Sequence, residues 1–563
     1  MNKRIVVFLA VFVLWQIMYP AFILAQVSSS TQQEIISQTD MSRDMQKGFV
    51  PQEEKKSEVR LQEKESAPVP QGPSFKVEQI ILKGNTIFSD KELMVYVKRY
   101  EGRQLFLKDL QDLTDLITAQ YRKAGYVTSR AYIPPQKIQD GKVVIQIMEV
   151  RVGDISLKGN RWFSDDLYLK QLTLKQGQIF NIQPLVMSLR DMNQLPDRFV
   201  KTYLESGKVP GTTDIIIAAK DRHPVHASYE YNTNGTQLTH LSRHILHVTD
   251  NNLTGHGDIL QTNLSMSQQN ALLGGAMQYI RPVPQQGLTY FFGAGGAHSR
   301  LGKNLRPLKI TADSFFVSAA VQKNFIKEAA FKLDGFMDFE MKDSRVLVDK
   351  NKFSADRDRV LDIGPRLVID DALGRTFISG DIRGGIPDFL GSLELHDPRS
   401  SRINTGGEFI YWTSSMDRIN RLAFGAYGVL HLSGQYSPMP LNSLEQFYLG
   451  GMNSVRGYPE SDSSGDSGMN FSAEVRMPLY FLRQPWQNEF SLVVFIDGGR
   501  VFNYKRQEEG STKDKTLLGT GVGVRYYLTP DMNCQAGIGF PFGDASTSGD
   551  RHSQIYLMAR VGF

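Results

Sequence analysis

The sequence lacks the short patterns that build common catalytic and nucleotide-binding centres. It has no GxxxxGK[ST] phosphate loop, no GxSxG turn, no HExxH helix and no CxxC pair, and its ten histidines are scattered. Such patterns matter because they bring a nucleophile, a base, a phosphate cradle or a metal ion to one place. We therefore predict that the protein is not an enzyme, with no catalytic residues, no metal site, no cofactor and no ATP of its own.

Some polar residues point to a different chemistry, because they lie in segments of alternating polarity. In Ser491–Asp497, Asp497 falls on the face opposite the aliphatic side chains. In Phe471–Leu479, Glu474 likewise falls opposite the apolar side chains. A carboxylate turned into the interior of a β-structure needs a cation and hydrogen bonds, and an arginine can supply both through a bidentate fork. The predicted chemistry is therefore ion pairing inside a sheet structure.

The elements that must position these residues are predicted to be strands of a transmembrane antiparallel β-barrel over residues 224–563. Of the 49 glycines, 38 lie from residue 225 onward, and no helical periodicity persists there. Segments of about ten residues alternate instead. In Ser553–Phe563 apolar residues share one face, and in Leu517–Leu528 glycines lie opposite aliphatic residues. Apolar side chains toward lipid and small or polar ones toward the lumen are typical of barrel strands.

A soluble β-sandwich also alternates, so the pattern alone does not decide between the two folds. The export signal described below, the number of segments and the terminal aromatic residue favour the barrel. At about 21 residues for each strand and its turn, the stretch fits about sixteen strands, although alternation does not separate fourteen from eighteen.

Two copies of one α+β unit are predicted before the barrel, over residues 75–150 and 151–223. The stretch Val77–Asp90 recurs as Val152–Asp165, with nine of fourteen positions identical at an offset of 75. Each copy opens with one strand and has the order β-α-α-β-β, and in the second copy we expect helices near 165–174 and 183–194. A small sheet of this kind has an exposed edge that can accept another strand. The alternative interpretation is that the units are rigid spacers.

The first 25 residues are predicted to be a signal peptide, because Lys3 and Arg4 precede an apolar stretch and Ala25 suits cleavage. A membrane anchor is the alternative, but the stretch is short for one. Residues 26–74 are polar and are predicted to be a linker. Within them, residues 32–47 form either a helix or part of a disordered tail. The single Cys534 cannot form an internal disulfide, and we expect it to be packed in the barrel.

Two motifs resemble the signatures of the outer-membrane-protein-85 superfamily. The first resembles the VRGY loop and the second the FxDxG strand motif, and their residues are Val455, Arg456, Gly457 and Tyr458, and Phe495, Asp497 and Gly499. The two repeats resemble POTRA domains. Exactly two such domains before a barrel resemble the two-partner secretion transporters, also called TpsB-type or haemolysin secretion/activation proteins. The resemblance covers about residues 75–563.

The resemblance implies a sixteen-stranded barrel in the outer membrane, two periplasmic POTRA domains and a long loop folded back into the pore. It implies that Arg456 contacts Asp497, and we expect Glu474 to be a further partner. It also places residues 32–47 where relatives carry a plug helix. The terminal Phe563 resembles the signal by which the barrel assembly machinery recognises its substrates.

The function implied is export of a large secreted TpsA-type partner protein. We expect the POTRA domains to bind that partner unfolded and the barrel, in contact with outer-membrane lipid, to export it without ATP. The protein would act as a monomer, and its net charge of +5 is no signature of nucleic-acid binding. Two alternatives are an assembly factor for other outer-membrane barrels, which would have more POTRA repeats and a weak seam between first and last strands, and a diffusion porin, which would need neither repeats nor loop.

Overall fold

The computed structural model describes residues 59–61, 74–328, 330–479, 482, 490–504, 514–529, 532–546 and 552–563. The predicted signal peptide and the candidate helix over 32–47 lie outside these residues. The chain divides into two compact units, one containing Glu53–Pro224 with Thr254–Gly257 and the other Val225–Leu253 with Asp258–Phe563. Among the described residues, no helix is both long enough and apolar enough to cross a membrane.

The first repeat contains three principal strands and two helices around an apolar core. The elements are β2 (Phe75–Val77), β3 (Gln79–Lys83), α1 (Asp90–Val97), β4 (Arg103–Leu105), α2 (Leu107–Lys123), β5 (Arg130–Tyr132) and β6 (Lys142–Met148). Strands β3, β6 and β5 form one sheet in that order, with β3 and β6 parallel, while β2 pairs with β4 in a separate ladder. Helix α2 packs leucines and Ile117 into the core.

The single opening strand predicted for the first repeat is wrong, because the structure divides it at Glu78. The backbone N–H groups of Glu78 and Gln79 both donate to the carbonyl of Gly141, at 2.8 and 3.3 Å. This contact turns the chain between β2 and β3, so Val77 and Ile80 reach the same core from different sheets. Sequence alternation alone does not reveal a break that a distant carbonyl causes.

The second repeat has the same plan and an additional edge strand. The elements are β1 (Val59–Leu61), β7 (Arg151–Lys158), α3 (Asp165–Leu169), α4 (Ile182–Gln194), β8 (Arg198–Ser206) and β9 (Thr212–Asp221). The sheet has the order β1-β8-β9-β7, so β1, which comes from the region predicted to be a linker, completes the sheet. Helix α3 ends at Leu169, five residues before the predicted end, because Gln171 and Leu172 make short-range hydrogen bonds that tighten and close its last turn.

The Gly-Asn turn of each repeat is held by an acidic side chain. In the first repeat, Glu149 accepts hydrogen bonds from the backbone N–H groups of Thr86 and Ile87, at 2.7 and 2.9 Å, and from the Tyr121 hydroxyl at 2.7 Å. Burial by itself raises the pKa of Glu149, but these hydrogen bonds outweigh it and hold the pKa below its ordinary value. Burial and the neighbouring Glu149 charge raise the pKa of Tyr121. The same turn in the second repeat donates to Asp221.

The second unit is a closed antiparallel barrel of sixteen strands, which confirms the predicted fold class. The barrel strands are β10 (Val225–Asn232), β11 (Arg243–Asp250), β12 (Ile259–Ser267), β13 (Leu272–Val283), β14 (Leu288–Arg300), β15 (Ile310–Lys327), β16 (Phe331–Val348), β17 (Asn351–Asp370), β18 (Gly374–Gly385), β19 (Phe409–Arg421), β20 (Tyr427–Tyr436), β23 (Ser467–Pro478), β24 (Phe490–Phe502), β25 (Lys515–Thr529), β26 (Met532–Pro541) and β27 (Gln554–Gly562). The first and last strands, β10 and β27, pair over five residues and close the cylinder. A two-stranded hairpin, β21 (Phe447–Leu449) with β22 (Ser463–Gly465), lies outside the barrel ladder.

The alternation of the barrel strands sorts side chains between an outer face and the lumen. On β24, Phe495 and Asp497 are buried in the lumen, whereas Val494 and Ile496 are exposed on the outer face. Cys534 lies on β26 but is exposed rather than packed, because the alternation turns it to the outer face. The polar residues singled out from the sequence therefore face the inside of the barrel.

Candidate functional site: a pore loop held in the barrel lumen

The segment 437–466, which joins β20 to β23, contains the VRGY residues and folds back into the barrel. We call this segment the pore loop. Hairpin β21–β22 is part of it, and the VRGY residues lie between the two hairpin strands. Val455, Arg456 and Tyr458 are 0%, 5% and 1% exposed. Such burial means that the middle of the loop is packed against the barrel wall instead of lying in solvent.

Arg456 is fixed to the wall by a fork of hydrogen bonds. Its Nε and Nη2 donate to the two carboxylate oxygens of Asp497 at 2.7 and 2.8 Å, and its backbone N–H donates to Asp497 Oδ2 at 3.0 Å. Nη1 donates to Glu474 Oε2 at 2.7 Å, and Nη2 also donates to Ser472 Oγ at 3.0 Å. The guanidinium carbon lies 3.4 Å from the ring centroid of Phe495, a cation–π contact. The structure thus brings the predicted loop arginine and strand aspartate together.

The charges around Arg456 form a shared network in the wall. Glu474 contacts Arg476 on its own strand and Arg525 Nη2 on β25, the latter at 3.2 Å. The side chains of this network are between 0% and 15% exposed. Three guanidinium groups therefore surround two carboxylates in a region largely shielded from water. Asp497 contacts only Arg456 among these three cations, so removing Arg456 leaves a buried carboxylate without its counter-charge, which is costly.

Bare glycine positions in the wall let the loop backbone approach closely. A Cβ on Gly519 of β25 would lie 1.9 Å from the carbonyl oxygen of Arg456, and one on Gly539 of β26 would lie 2.5 Å from the nitrogen of Gly457. Gly457 itself has φ of 103°, a conformation that side-chain-bearing residues rarely adopt. The loop thus rests on Gly519, one of the glycines on the face noted in the sequence of β25, and on Gly539 of β26.

Two tyrosines also hold the loop, at the residues that follow Arg456. The Gly457 N–H donates to the hydroxyl oxygen of Tyr556 at 2.8 Å, and that hydroxyl donates to the carbonyl of Tyr458 at 3.2 Å. The Tyr458 hydroxyl donates to the carbonyl of Asp544 at 3.0 Å and accepts from the Gly543 N–H at 3.1 Å. The Tyr556 bonds therefore hold the backbone of the motif, and the Tyr458 bonds hold its last side chain.

The remaining predicted residues have packing positions. Val455 and Tyr458 form a buried apolar cluster with Leu449, Val501 and Leu517. On Gly499 a Cβ would lie 2.7 Å from Leu449 Cδ2, so the glycine leaves room for the base of the loop. Phe563 is not part of this site. It lies at the barrel seam, where its N–H donates to the carbonyl of Ala227 at 2.8 Å and its side chain is 82% exposed.

Sequence reasoning missed a second attachment of the pore loop on β16, β17 and β19. Glu445 lies 2.5 Å from Lys342 Nζ and accepts a hydrogen bond from the Tyr411 hydroxyl at 2.6 Å. The side-chain amide of Asn442 donates to both oxygens of Asp358, at 2.8 and 3.0 Å. Lys342 and Glu445 are no more than 2% exposed. The loop is therefore anchored to two separate sets of strands.

A sequence signal for this second attachment existed. In β16, Asp338, Glu340 and Lys342 alternate with Phe339 and Met341, so three charged groups share one face of a strand. Charges on the lumenal face of a barrel strand are ordinary in a water-filled pore, however. Only the structure shows that all three are buried and that Lys342 pairs with a loop residue from a distant part of the sequence.

The fold and the site together define a class of protein: an outer-membrane β-barrel transporter with a loop in its lumen and POTRA domains before it. A family model described as haemolysin secretion/activation protein ShlB/FhaC/HecB matches residues 211–526, and one described as POTRA domain, ShlB-type, matches residues 75–149. The chain belongs to this haemolysin secretion/activation family of TpsB-type transporters. Its barrel accordingly lies in the outer membrane and its POTRA domains in the periplasm.

Named relatives agree with this assignment. The chain is 23% identical over 489 residues to the heme/hemopexin transporter protein HuxB of Haemophilus influenzae (strain 86-028NP), covering 85% of each chain. It is 22% identical over 472 residues to the outer membrane transporter CdiB of Dickeya dadantii, covering 81% of this chain and 80% of the relative. The solved structure of CdiB from Escherichia coli superposes with a TM-score of 0.70 at 19% identity, over 96% of this chain and 98% of that one.

Proposed function

We propose that this protein exports a large partner protein across the outer membrane through the lumen of its barrel. The POTRA domains bind the partner unfolded, and the pore loop moves to let an extended chain pass. No ATP bound to this protein drives the movement. Folding of the partner outside the cell biases its movement outward.

The observation that carries the proposal is the way in which the pore loop is held. The loop is fixed by polar contacts that can be exchanged, namely the fork of Arg456 on Asp497 in its middle and the pair of Glu445 with Lys342 in its first part. An apolar plug would be held by shape alone. Because such polar contacts can be broken and re-formed, the loop can exchange between a seated and a released state, and a ligand that binds one state better shifts the balance. The relatives, which are transporters by name, support the same interpretation.

The experiment that tests the proposal removes the gene and compares the proteins in the culture medium. We expect one large protein to disappear from the medium and to return when the wild-type chain is supplied. A medium with unchanged protein content, together with a general loss of other outer-membrane barrels, would contradict export and support an assembly function.

One observation favours the assembly alternative: the seam is short. Strands β10 and β27 pair over five residues, whereas β10 pairs with β11 over eight. The seam is nevertheless reinforced, because Glu230 and Arg560 form an ion pair across it at 2.5 Å and Thr233 donates from its N–H to the Leu557 carbonyl at 3.0 Å. A protein that inserts barrels must open this seam, whereas export through the lumen does not require it to open.

A covalent lock on the seam separates the two functions. Tyr231 and Ala559 are paired residues of β10 and β27, and both can be replaced by cysteine in a Cys534→Ser background. We expect the oxidised Tyr231→Cys, Ala559→Cys protein to keep exporting its partner. Continued export together with unchanged levels of other outer-membrane barrels supports export through the lumen, whereas a fall in those other barrels on oxidation would favour the assembly function.

A further inference from the structure

Each POTRA domain uses one side chain of its second helix to occupy backbone groups of the outermost strand of the repeated unit, which is β5 in the first domain and β8, with β1 beyond it, in the second. In the first domain, Thr118 of α2 accepts a hydrogen bond through Oγ1 from the N–H of Ala131 on β5, at 3.0 Å. In the second, the carboxamide of Asn193 on α4 accepts from the N–H of Val200 on β8 at 2.7 Å and donates to its carbonyl at 3.1 Å. Thr118 and Asn193 are 75 residues apart, which is the offset of the repeat. The protection of the edge is therefore a repeated feature.

The outer edges of β5 and β8 differ in how many backbone N–H and C=O groups they leave available for another strand. Strand β5 has three residues, and Thr118 occupies its central one. Strand β8 has nine residues, Arg198–Ser206. In an antiparallel ladder, alternate residues direct both backbone groups to the same side. Since Val200 turns its groups away from β9 toward Asn193, Thr202 and Leu204 also present theirs at the outer edge.

The chain itself occupies the outer edge at those two positions. Strand β1 runs parallel to β8, with Val59 opposite Thr202, Arg60 opposite Tyr203 and Leu61 opposite Leu204. A strand of three residues adds few hydrogen bonds and is shorter than a stable strand normally is. A longer strand with the same pairing would make more backbone hydrogen bonds along β8 and would displace β1.

We propose that the outer edge of β8 at Thr202–Leu204 is the docking site for an extended segment of the exported partner, and that β1 is its built-in placeholder. The partner segment lies parallel to β8 and takes the place of residues 59–61. This inference rests on the proposed function and adds to it the edge, the direction of the bound strand and the competitor.

The faces of β8 indicate which kind of segment fits. Val200, Thr202 and Leu204 are buried on the helix side of the sheet, while Tyr203 on the opposite side is 40% exposed. A strand added at this edge therefore has one covered side and one open side. It would place apolar residues beside Leu204 and polar or aromatic residues beside Tyr203, so the preferred partner segment alternates in polarity.

The first experiment fixes the placeholder to the edge. Arg60 and Tyr203 lie opposite each other, and neighbouring strands have a Cα separation that a disulfide can bridge. Arg60→Cys and Tyr203→Cys are introduced together in full-length protein carrying Cys534→Ser. We expect oxidation to reduce the partner in the culture medium at least 10-fold and a reductant to restore it, because a tethered β1 cannot leave. The two single-cysteine variants serve as controls.

The second experiment releases the placeholder. Arg60→Pro removes the central N–H of β1, whereas the matched control Arg60→Ala keeps it. In the full-length protein in detergent, we expect the amide protons of Thr202 and Leu204 to exchange with deuterium faster in the proline variant. A labelled peptide with the sequence of residues 56–64 should bind that variant at least 10-fold more tightly than the wild type or the alanine control.

The outcomes separate this inference from the proposed function. Unchanged export by a fully oxidised tether, or equal peptide binding and equal exchange in the proline and alanine variants, would overturn the docking edge and leave export itself intact. Failure of the gene deletion to remove any protein from the medium would instead overturn export. Loss of export on tethering together with peptide binding to the proline variant supports the docking edge.

Discussion

Replacing Arg456 by alanine should release the pore loop from the wall formed by β23 and β24. The substitution removes both bonds of the fork to Asp497, the bond to Glu474 and the cation–π contact with Phe495. Asp497, which is 0% exposed, would keep only the backbone N–H of residue 456 as a partner in this group of contacts. The seated state should therefore lose stability relative to the released state.

The size of the effect follows from the burial of the network. Breaking a buried ion pair by removing one partner typically costs about 3–5 kcal/mol. Taking about 3 kcal/mol, and about 1.4 kcal/mol for each factor of ten, the ratio of released to seated loops should rise roughly 100-fold. Lysine at the same position keeps the charge but not the planar fork, so Arg456→Lys should give an intermediate increase.

Single-channel recording in planar bilayers measures this ratio through the frequency of large-conductance openings. We expect Arg456→Ala to raise that frequency by about two orders of magnitude and Asp497→Asn to raise it less. In a double-mutant cycle, the effects of the two substitutions should be strongly non-additive, because each removes the same contact. Equal opening frequencies in wild-type and alanine variants of normal barrel content would refute this account of the loop.

Three further predictions concern other parts of the structure. Gly519→Ala should also unseat the loop, because its Cβ would meet the Arg456 carbonyl, whereas Gly380→Ala, whose Cβ would be 3.8 Å from its nearest neighbour, should leave channel openings unchanged. Lys342→Met should destabilise the second attachment and make the loop more sensitive to added protease. Glu445→Gln in the same chain should reverse part of that effect, since residue 445 then no longer carries a buried charge that has lost its lysine partner. The pKa of Glu149 lies below its ordinary value of 4.5, so its stabilisation of the turn is complete above pH 4.5 and is lost as the pH falls through the lower folded-state pKa. Glu149→Gln should remove this acid sensitivity. The measurement is amide exchange of the turn in the full-length protein, compared at matched pH.

The sequence allowed the barrel and the Arg456 contact to be predicted for different reasons. The barrel strands follow from a local rule, because alternation along each strand records which face is apolar. The export signal, the number of segments and the terminal aromatic residue then favoured a barrel over a sandwich. The contact between Arg456 and Asp497 followed from a resemblance, supported by the orientation of Asp497 on its strand. Neither required knowledge of how distant segments meet.

Features that depend on distant segments could not be read in this way. The carbonyl of Gly141 divides the first strand of the first repeat, and the pairing of β1 with β8 brings residues together that are more than 140 positions apart. The attachment of Glu445 to Lys342 is of the same kind. A charged residue on a lumenal face has the same sequence pattern whether it meets water or a loop, so burial of that residue is a property of the tertiary structure alone.

A reversible tether on the pore loop tests the central claim most directly. Val455 and Leu517 belong to one buried cluster that joins the loop to β25, and both can be replaced by cysteine in a Cys534→Ser background. We predict that oxidation stops export of the partner protein and that reduction restores it, while a locked β10–β27 seam leaves export unchanged. Continued export by protein whose loop tether is fully formed would contradict the claim that the loop must leave the lumen for the partner to pass.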